Sequence, residues 1–371
     1  MHRLKGFAMA ALAAGVLTAS ASAQDVVVAT AGPMTGGDAT FGEQMKRGAV
    51  MAVKDINDAG GLLGKKLKLE IGDDQCEPKQ ALPVANSFVQ KKVVFVAGHY
   101  CSGVSIPASA VYVENNILQI TPASTNPRLT DEAKKKGWTT VLRTCGRDDI
   151  QGVVAGNFLA SKYKGKKVAI LHDKSAYGQG IADETKLNYN KAGGKEALYD
   201  SFQKGDKDFT ALISKMKSMT VDVVYVGSYH TEVGLMVKQA REQGFKAQFI
   251  SEDALVTDEF WKISGPAGEG LLMTFAPDPI AEPAAKAVVD KFTKEGYKPE
   301  GYTLYTYAAF QVYAEAVKKA GTFDPKKVAA QIHGKTFNTV LGKLIYDNKG
   351  DVSNSNYVWY VWGKDGKYKQ M

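Results

Sequence analysis

The stretch VVFVAGHYCSGVSIPAS, Val93–Ser109, changes character twice. An apolar run, VVFVAG, gives way to His99 and Tyr100; Cys101, Ser102 and Gly103 follow, and a helix-like segment begins. A near-continuous apolar run of this length reads as a strand buried on both faces, and a strand feeding directly into a helix is the unit of a doubly wound sheet. Ligands of such sheets gather beyond the carboxyl ends of the strands. Cys101 and Ser102 stand at such an end, as a nucleophile, a metal ligand or part of a cradle for something negative.

The same alternation extends in both directions. DVVVATAGP, LKLEIGDD, LQITPAS, TVLRTC, KVAILHDK, EALYDSF, VDVVYVGSY, AQFISED, GLLMTFA, GKLIYDN and YVWYVWG are further candidate strands. Most are separated by segments with helical periodicity, such as FGEQMKRGAVMAVKDIND and DFTALISKMKSM. The fold expected is α/β, with two doubly wound parallel-sheet lobes. A length of 371 residues with 44% apolar and 23% charged residues agrees with two globular units of about 150 residues each. The strand ends are polar throughout: GPMTGG, DDQC, GHYCSG, TPAST, HDKSAYGQG, GSYHTE and SED. Some of these residues serve as helix caps. The clustering of hydroxyls, tyrosines and an acidic pair at successive strand ends points further, to a binding site.

Residues 1–23 read as a cleaved secretory leader, with Arg3 and Lys5 ahead of an apolar stretch from Phe7 to Leu17 and ASA ending at Ala23. The mature chain is then expected to begin at Gln24, exported and soluble. Without the leader the formal net charge falls from +8 to +6. That excess lies in short groups such as Lys134–Lys136, with no aromatic-interleaved basic motif, so nucleic acid is not an expected partner.

An exported chain can keep disulfides. Cys76 follows LKLEIGDD and Cys101 follows VVFVAGHY. If those strands are parallel neighbours about 4.8 Å apart, their ends fall within disulfide reach. Cys145 is left over and is expected buried and reduced. Enzyme motifs fare poorly. GQGIAD, Gly178–Asp183, has Asp183 where a dinucleotide fingerprint needs its third glycine, and no phosphate loop is present. Ser102 lacks the G-x-S-x-G elbow. His99, His172 and His230 each follow a candidate strand, but their spacing fits no compact metal motif. No catalytic residue, metal or cofactor is assigned.

Taken in order, GPMTGGDATFGEQMKRGAVMAVKDIND, GDDQCEPKQA, GHYCSGVSIPAS, ITPASTNP, LRTCGRDDIQG, AILHDKSAYGQG, GSYHTEVG and GEGLLMTF resemble the Leu/Ile/Val-binding proteins, periplasmic substrate-binding components of ABC importers, almost end to end. The resemblance implies a clamp whose chain crosses between lobes three times: residues 24–142 and 274–350 in one lobe, 143–273 and 351–371 in the other. It implies a disulfide between Cys76 and Cys101. It also implies a small amino-acid ligand and an inner-membrane permease with ATPase subunits as partners, a periplasmic location and a monomer.

Residue by residue, the resemblance places Ser102 on the ligand's α-carboxylate, beside a helix start that favours anions. The Ala123 carbonyl and the Thr125 hydroxyl take the ammonium. Tyr177 and Tyr229 cover the ligand from the second lobe, and Asp253 supplies the negative partner a buried ammonium needs; Glu252 is the neighbouring alternative. Phe41 stands where the family pattern has a tyrosine, keeping the ring without the hydroxyl. Tyr100, two residues before Ser102, faces the same side if the chain there is extended. Its ring would shorten the side-chain pocket and favour smaller or linear ligands such as alanine, valine or γ-aminobutyrate over leucine. The aromatics of GYTLYTYAAF and YVWYVWG are assigned to packing. Competing readings are a binder of alanine, proline, γ-aminobutyrate or a small amide, a periplasmic hydrolase built on the strand-end histidines and carboxylates, and a sensory module.

Overall fold

The computed structural model describes residues 25–371; the leader reading falls on residues outside that range. Strands β1 (Val26–Gly32), β2 (Leu67–Asp73), β3 (Phe95–Gly98), β4 (Leu118–Thr121) and β5 (Val141–Arg143) form one parallel sheet in the order β2-β1-β3-β4-β5. The chain then crosses to a second sheet. There β6 (Val168–His172), β7 (Leu198–Ser201), β8 (Val223–Gly227), β9 (Gln248–Ser251) and β10 (Leu272–Phe275) run parallel.

A second crossing returns the chain to the first lobe. The helix Thr303–Ala320 packs there, its Tyr313 stacked 4.2 Å from Phe95 of β3. A hairpin, β11 (Thr336–Thr339) and β12 (Gly342–Ile345), follows. After the third crossing β13 (Val358–Trp362) joins β10 and β14 (Tyr368–Gln370) joins β13, completing the order β14-β13-β10-β9-β8-β6-β7. The architecture is the α/β pair of doubly wound lobes with three crossings.

Two features depart from the sequence reading. β13 and β14 are antiparallel additions, because the third crossing delivers the chain to the opposite end of β10. Cys76 and Cys101 do form the disulfide, with Cα atoms 5.4 Å apart, but β2 and β3 are not neighbours, since β1 lies between them. The pairing succeeds because Gln75 and Cys76 take positive φ angles of 54° and 55°. That turn folds the loop after β2 over the end of β1, where the Asp74 N–H donates to the Gly32 carbonyl at 3.0 Å.

Apolar residues fill both lobes, as expected of strands covered on each face: Val28, Phe95 and Leu118 in the first, Ile170, Val224 and Phe249 in the second. The glycine of GQGIAD that begins the resemblance to a nucleotide loop has a packing reason. A Cβ on Gly178 would overlap the Gly227 carbonyl and the Asp173 carboxylate, so the helix Ala176–Lys191 seats against β8 only without one. Among the described residues no helix is long and apolar enough to cross a membrane.

Candidate functional site between the lobes

The strand ends of both sheets meet across a closed cleft. From the first lobe come Ser102, at the start of the helix Ser102–Glu114, and the loop after β4 with Ala123 and Thr125; all three are buried. The two pieces are tied together. The Asn126 N–H donates to Ser102 Oγ at 3.3 Å, and Ser124 Oγ donates to the Tyr100 carbonyl at 2.9 Å. Thr125 Oγ1 is buried without an aligned hydrogen bond, beside the Asp148 carboxyl, and is a polar group available to a ligand.

From the second lobe come Tyr177, Tyr229 and Asp253, also buried. The Tyr177 hydroxyl donates to Asp253 Oδ1 at 2.7 Å, and the Tyr302 hydroxyl donates to Oδ2. Burial pushes the Asp253 carboxyl up from its usual range, while the two phenols pull it back. The alternative acid, Glu252, is spent on its own lobe: its two oxygens accept the Ser228 N–H and the Ser251 hydroxyl, each at 2.8 Å.

An aromatic wall closes the remaining side. Phe41 and Tyr100 stack at 4.4 Å; Tyr100 lies 5.5 Å from Tyr302 and 6.0 Å from Tyr229, and Tyr229 lies 5.1 Å from Tyr177. All eight residues singled out in the sequence are buried at this junction. Tyr302 was assigned to packing and is instead part of the wall and of the Asp253 environment.

Asp148 was missed altogether. It opens the helix Asp148–Lys162 and is fully buried; neither carboxylate oxygen makes an aligned hydrogen bond, and the Thr125 hydroxyl is the neighbouring donor that eases its ionised form. Burial first, and the nearby Asp253 next, push its pKa well above the usual range. A buried acid left this way is poised for a cation. In the sequence it is one of two adjacent aspartates at a helix start, where a capping role is the ordinary reading.

Contacts across the cleft hold the lobes together. Lys204 Nζ lies 2.8 Å from Asp38, Asn126 Nδ2 donates to the Ala176 carbonyl at 2.6 Å, and the Thr40 and Thr257 hydroxyls meet at 2.9 Å. On the hinge side a cavity of about 200 Å³ is bordered by Cys145, Phe275, Tyr305 and Tyr357. It shares Asp253 and Tyr302 with the site but none of Ser102, Ala123 and Thr125. Cys145 is free and buried, its thiol pushed up to about 12 by burial.

The histidines serve separate purposes. His99 sits between Asp74 at 2.6 Å and the Tyr112 hydroxyl at 2.7 Å inside the first lobe, and His172 accepts the Lys174 N–H at 3.1 Å. Among the described residues the one grouping of metal-ligand type is Asp38 with Cys76 and Cys101, whose thiols are consumed in the disulfide.

Two doubly wound lobes joined by three crossings, with hydroxyls, buried acids and aromatic rings converging between them, define a two-lobe binding clamp. The chain belongs to the periplasmic binding protein family, which it matches over residues 25–367, and within it to the Leu/Ile/Val-binding proteins. It is 50% identical over 368 residues to Leu/Ile/Val-binding protein homolog 1 of Brucella suis, covering 98% of each chain. It is 42% identical to the leucine-, isoleucine-, valine-, threonine-, and alanine-binding protein of Pseudomonas aeruginosa, covering 98% of this chain and 97% of that one. Its structure superimposes with a TM-score of 0.82 on the branched-chain amino acid transporter substrate binding protein of Streptococcus pneumoniae, solved with isoleucine, at 26% identity over 94% of this chain and 99% of the other.

Proposed function

We propose that the protein is the substrate-binding component of an amino-acid ABC importer, taking a branched-chain or similar small amino acid between its lobes. The single observation that carries this is the distribution of charge partners across the cleft. Ser102 and the N-terminus of its helix offer an anion site on one lobe, while Asp253 and Asp148 offer buried carboxyls that an arriving ammonium would hold ionised. Ala123 and Thr125 lie between them and serve the ammonium. The printed names of the relatives support the same ligand class.

Binding proceeds without chemistry. Ligand bridges two lobes, so the closed form gains contacts that the open form lacks, and the population shifts toward closure. We assign residues 24–142 and 274–350 to one lobe and 143–273 and 351–371 to the other, with the hinge at the three crossings; Arg143 and Thr274–Phe275, at these boundaries, still pair within the sheets of β5 and β10 that the chain is leaving. The closed clamp docks, as a monomer in the periplasm, on an inner-membrane permease whose ATPase subunits hydrolyse ATP. The stacked Phe41 and Tyr100 narrow the side-chain space, favouring valine, alanine or γ-aminobutyrate over leucine.

Mass spectrometry of the small molecule released on denaturing freshly purified protein tests the ligand class. Calorimetric titration with leucine, isoleucine, valine, alanine and γ-aminobutyrate then ranks the candidates. Recovery of chemically altered ligand, or no heat with any of them, overturns the reading.

A further inference from the structure

Three consecutive carbonyls of the loop after β4 are taken by the first crossing segment. Arg143 Nη1 donates to the Ser124 carbonyl at 2.6 Å, the Asp148 N–H donates to the Thr125 carbonyl at 3.0 Å, and Arg143 Nη2 donates to the Asn126 carbonyl at 3.0 Å. Arg143 is fully buried. A guanidinium in that position needs a counter-charge, and Asp351, which arrives at the third crossing, supplies it: Asp351 Oδ1 lies 2.8 Å from Arg143 Nε. The contact is ionic more than directional, since Nε makes no aligned hydrogen bond. Asp351 is itself fixed by the Thr130 hydroxyl at 2.8 Å, by Arg147 at 2.8 Å and by Lys349 at 3.0 Å.

We infer that Arg143, held by Asp351, is the positioning residue of the amino-acid cradle: it sets the geometry of Ala123–Asn126 and, through it, ligand affinity. The inference rests on the proposed function for its link to binding. The carbonyl side of the loop is claimed by Arg143 and Asp148, while the Thr125 hydroxyl on the same loop makes no aligned hydrogen bond. The constraint also reaches the carboxylate half of the site. Ser124, whose carbonyl Arg143 holds, donates through its hydroxyl to the Tyr100 carbonyl, and Asn126, whose carbonyl Arg143 also holds, donates its N–H to Ser102 Oγ. One planar fork thus spans both halves of the cradle, which the single ammonium of a lysine cannot do. Because the arginine and its counter-ion sit on two different crossings, the cradle is braced from the hinge.

The test uses the full chain with Asp351→Asn and Arg143→Lys. In the unliganded protein, amide exchange of Thr125 and Asn126 is expected to quicken about tenfold, while amides of β6 and β8 stay unchanged. Titration with L-valine is expected to give a Kd about tenfold higher in both variants. Lowered melting temperature with unchanged loop exchange and unchanged Kd overturns the inference. Should either variant fail to fold, Thr130→Val removes the hydroxyl that joins Asp351 to both arginines, and about threefold effects in the same two readouts are expected. If the wild-type protein itself takes no amino acid, the exchange arm decides alone: quickened loop exchange upholds the brace, and unchanged exchange removes it.

Discussion

The Lys204 ammonium, on the second lobe, lies 2.8 Å from the carboxylate of Asp38, on the first. It also lies 4.7 Å from the centre of the Tyr229 ring, so one cation joins the cleft edge to the aromatic wall. Because its two partners lie on different lobes, opening of the cleft would break this ion pair. Lys204→Ala is expected to weaken ligand binding by about 1 kcal/mol, roughly fivefold, chiefly through faster release. Stopped-flow fluorescence at low and high salt checks it, with the wild-type release rate rising as salt screens the pair.

A second acid beside that pair makes stability depend on pH. Burial, and then the charge of Asp38, push the Glu232 carboxyl up from 4.5 to about 7. Between those values the folded protein holds a proton that the unfolded chain has released, so this group's contribution falls as pH rises through the window. Glu232→Gln keeps an acceptor for the Gly205 N–H, now met at 2.8 Å, and removes the charge. It is expected to stabilise by about 2 kcal/mol at pH 7.5 and by almost nothing at pH 4.5, read from urea unfolding at both values.

Asp148 and Asp253 separate cost from use. Asp148→Asn is expected to raise the melting temperature of the ligand-free protein, since it removes a carboxyl whose ionisation burial penalises, while shrinking the further rise that L-valine produces. Asp253→Ala is expected to cost at least about 2 kcal/mol of binding. Glu252→Ala is expected to spare binding and lower stability, because its partners Ser228 and Ser251 lie within one lobe. The reverse ranking in calorimetry would assign the ammonium to Glu252.

How much of this was legible in the sequence depended on whether a residue's role was local. Strand-to-helix units such as Val93–Ser109 declare themselves through apolar runs and punctuation, and both sheets follow from them. Ser102, Thr125 and Asp253 were legible only as polar residues at strand ends; their roles toward a ligand came through the resemblance to the Leu/Ile/Val-binding proteins and not from any local pattern. Tyr302 was not, since its helix Thr303–Ala320 is buried almost all round and a tyrosine at its edge looks like one more core ring. The neighbour relation of β2 and β3 was misjudged for a related reason: strand order is set by crossovers, and no local pattern distinguishes β2-β3 from β2-β1-β3.

The disulfide survives that misjudgement. It closes a loop of sequence separation 25, and removing it with Cys76→Ser and Cys101→Ser is expected to destabilise the chain by about 3 kcal/mol. Alkylation of the native protein should label neither cysteine until reductant is added, with mass spectrometry as the readout.

Selectivity has its own handle in Tyr100, stacked on Phe41. Tyr100→Leu opens space of a few methylenes and is expected to shift affinity toward leucine relative to alanine by about 1 to 3 kcal/mol. An unchanged ratio in competition binding would place the ring outside the side-chain pocket.

The antiparallel strand β13 covers the edge of β10, and it comes from nearly the last residues of the chain. During synthesis, N-terminus first, β10 therefore emerges long before its partner exists. An uncovered edge of this kind is a template for pairing with other chains. The second lobe cannot finish folding until Val358–Trp362 has cleared the ribosome, so a chain truncated before Val358 should aggregate even though each proposed ligand contact is already encoded upstream.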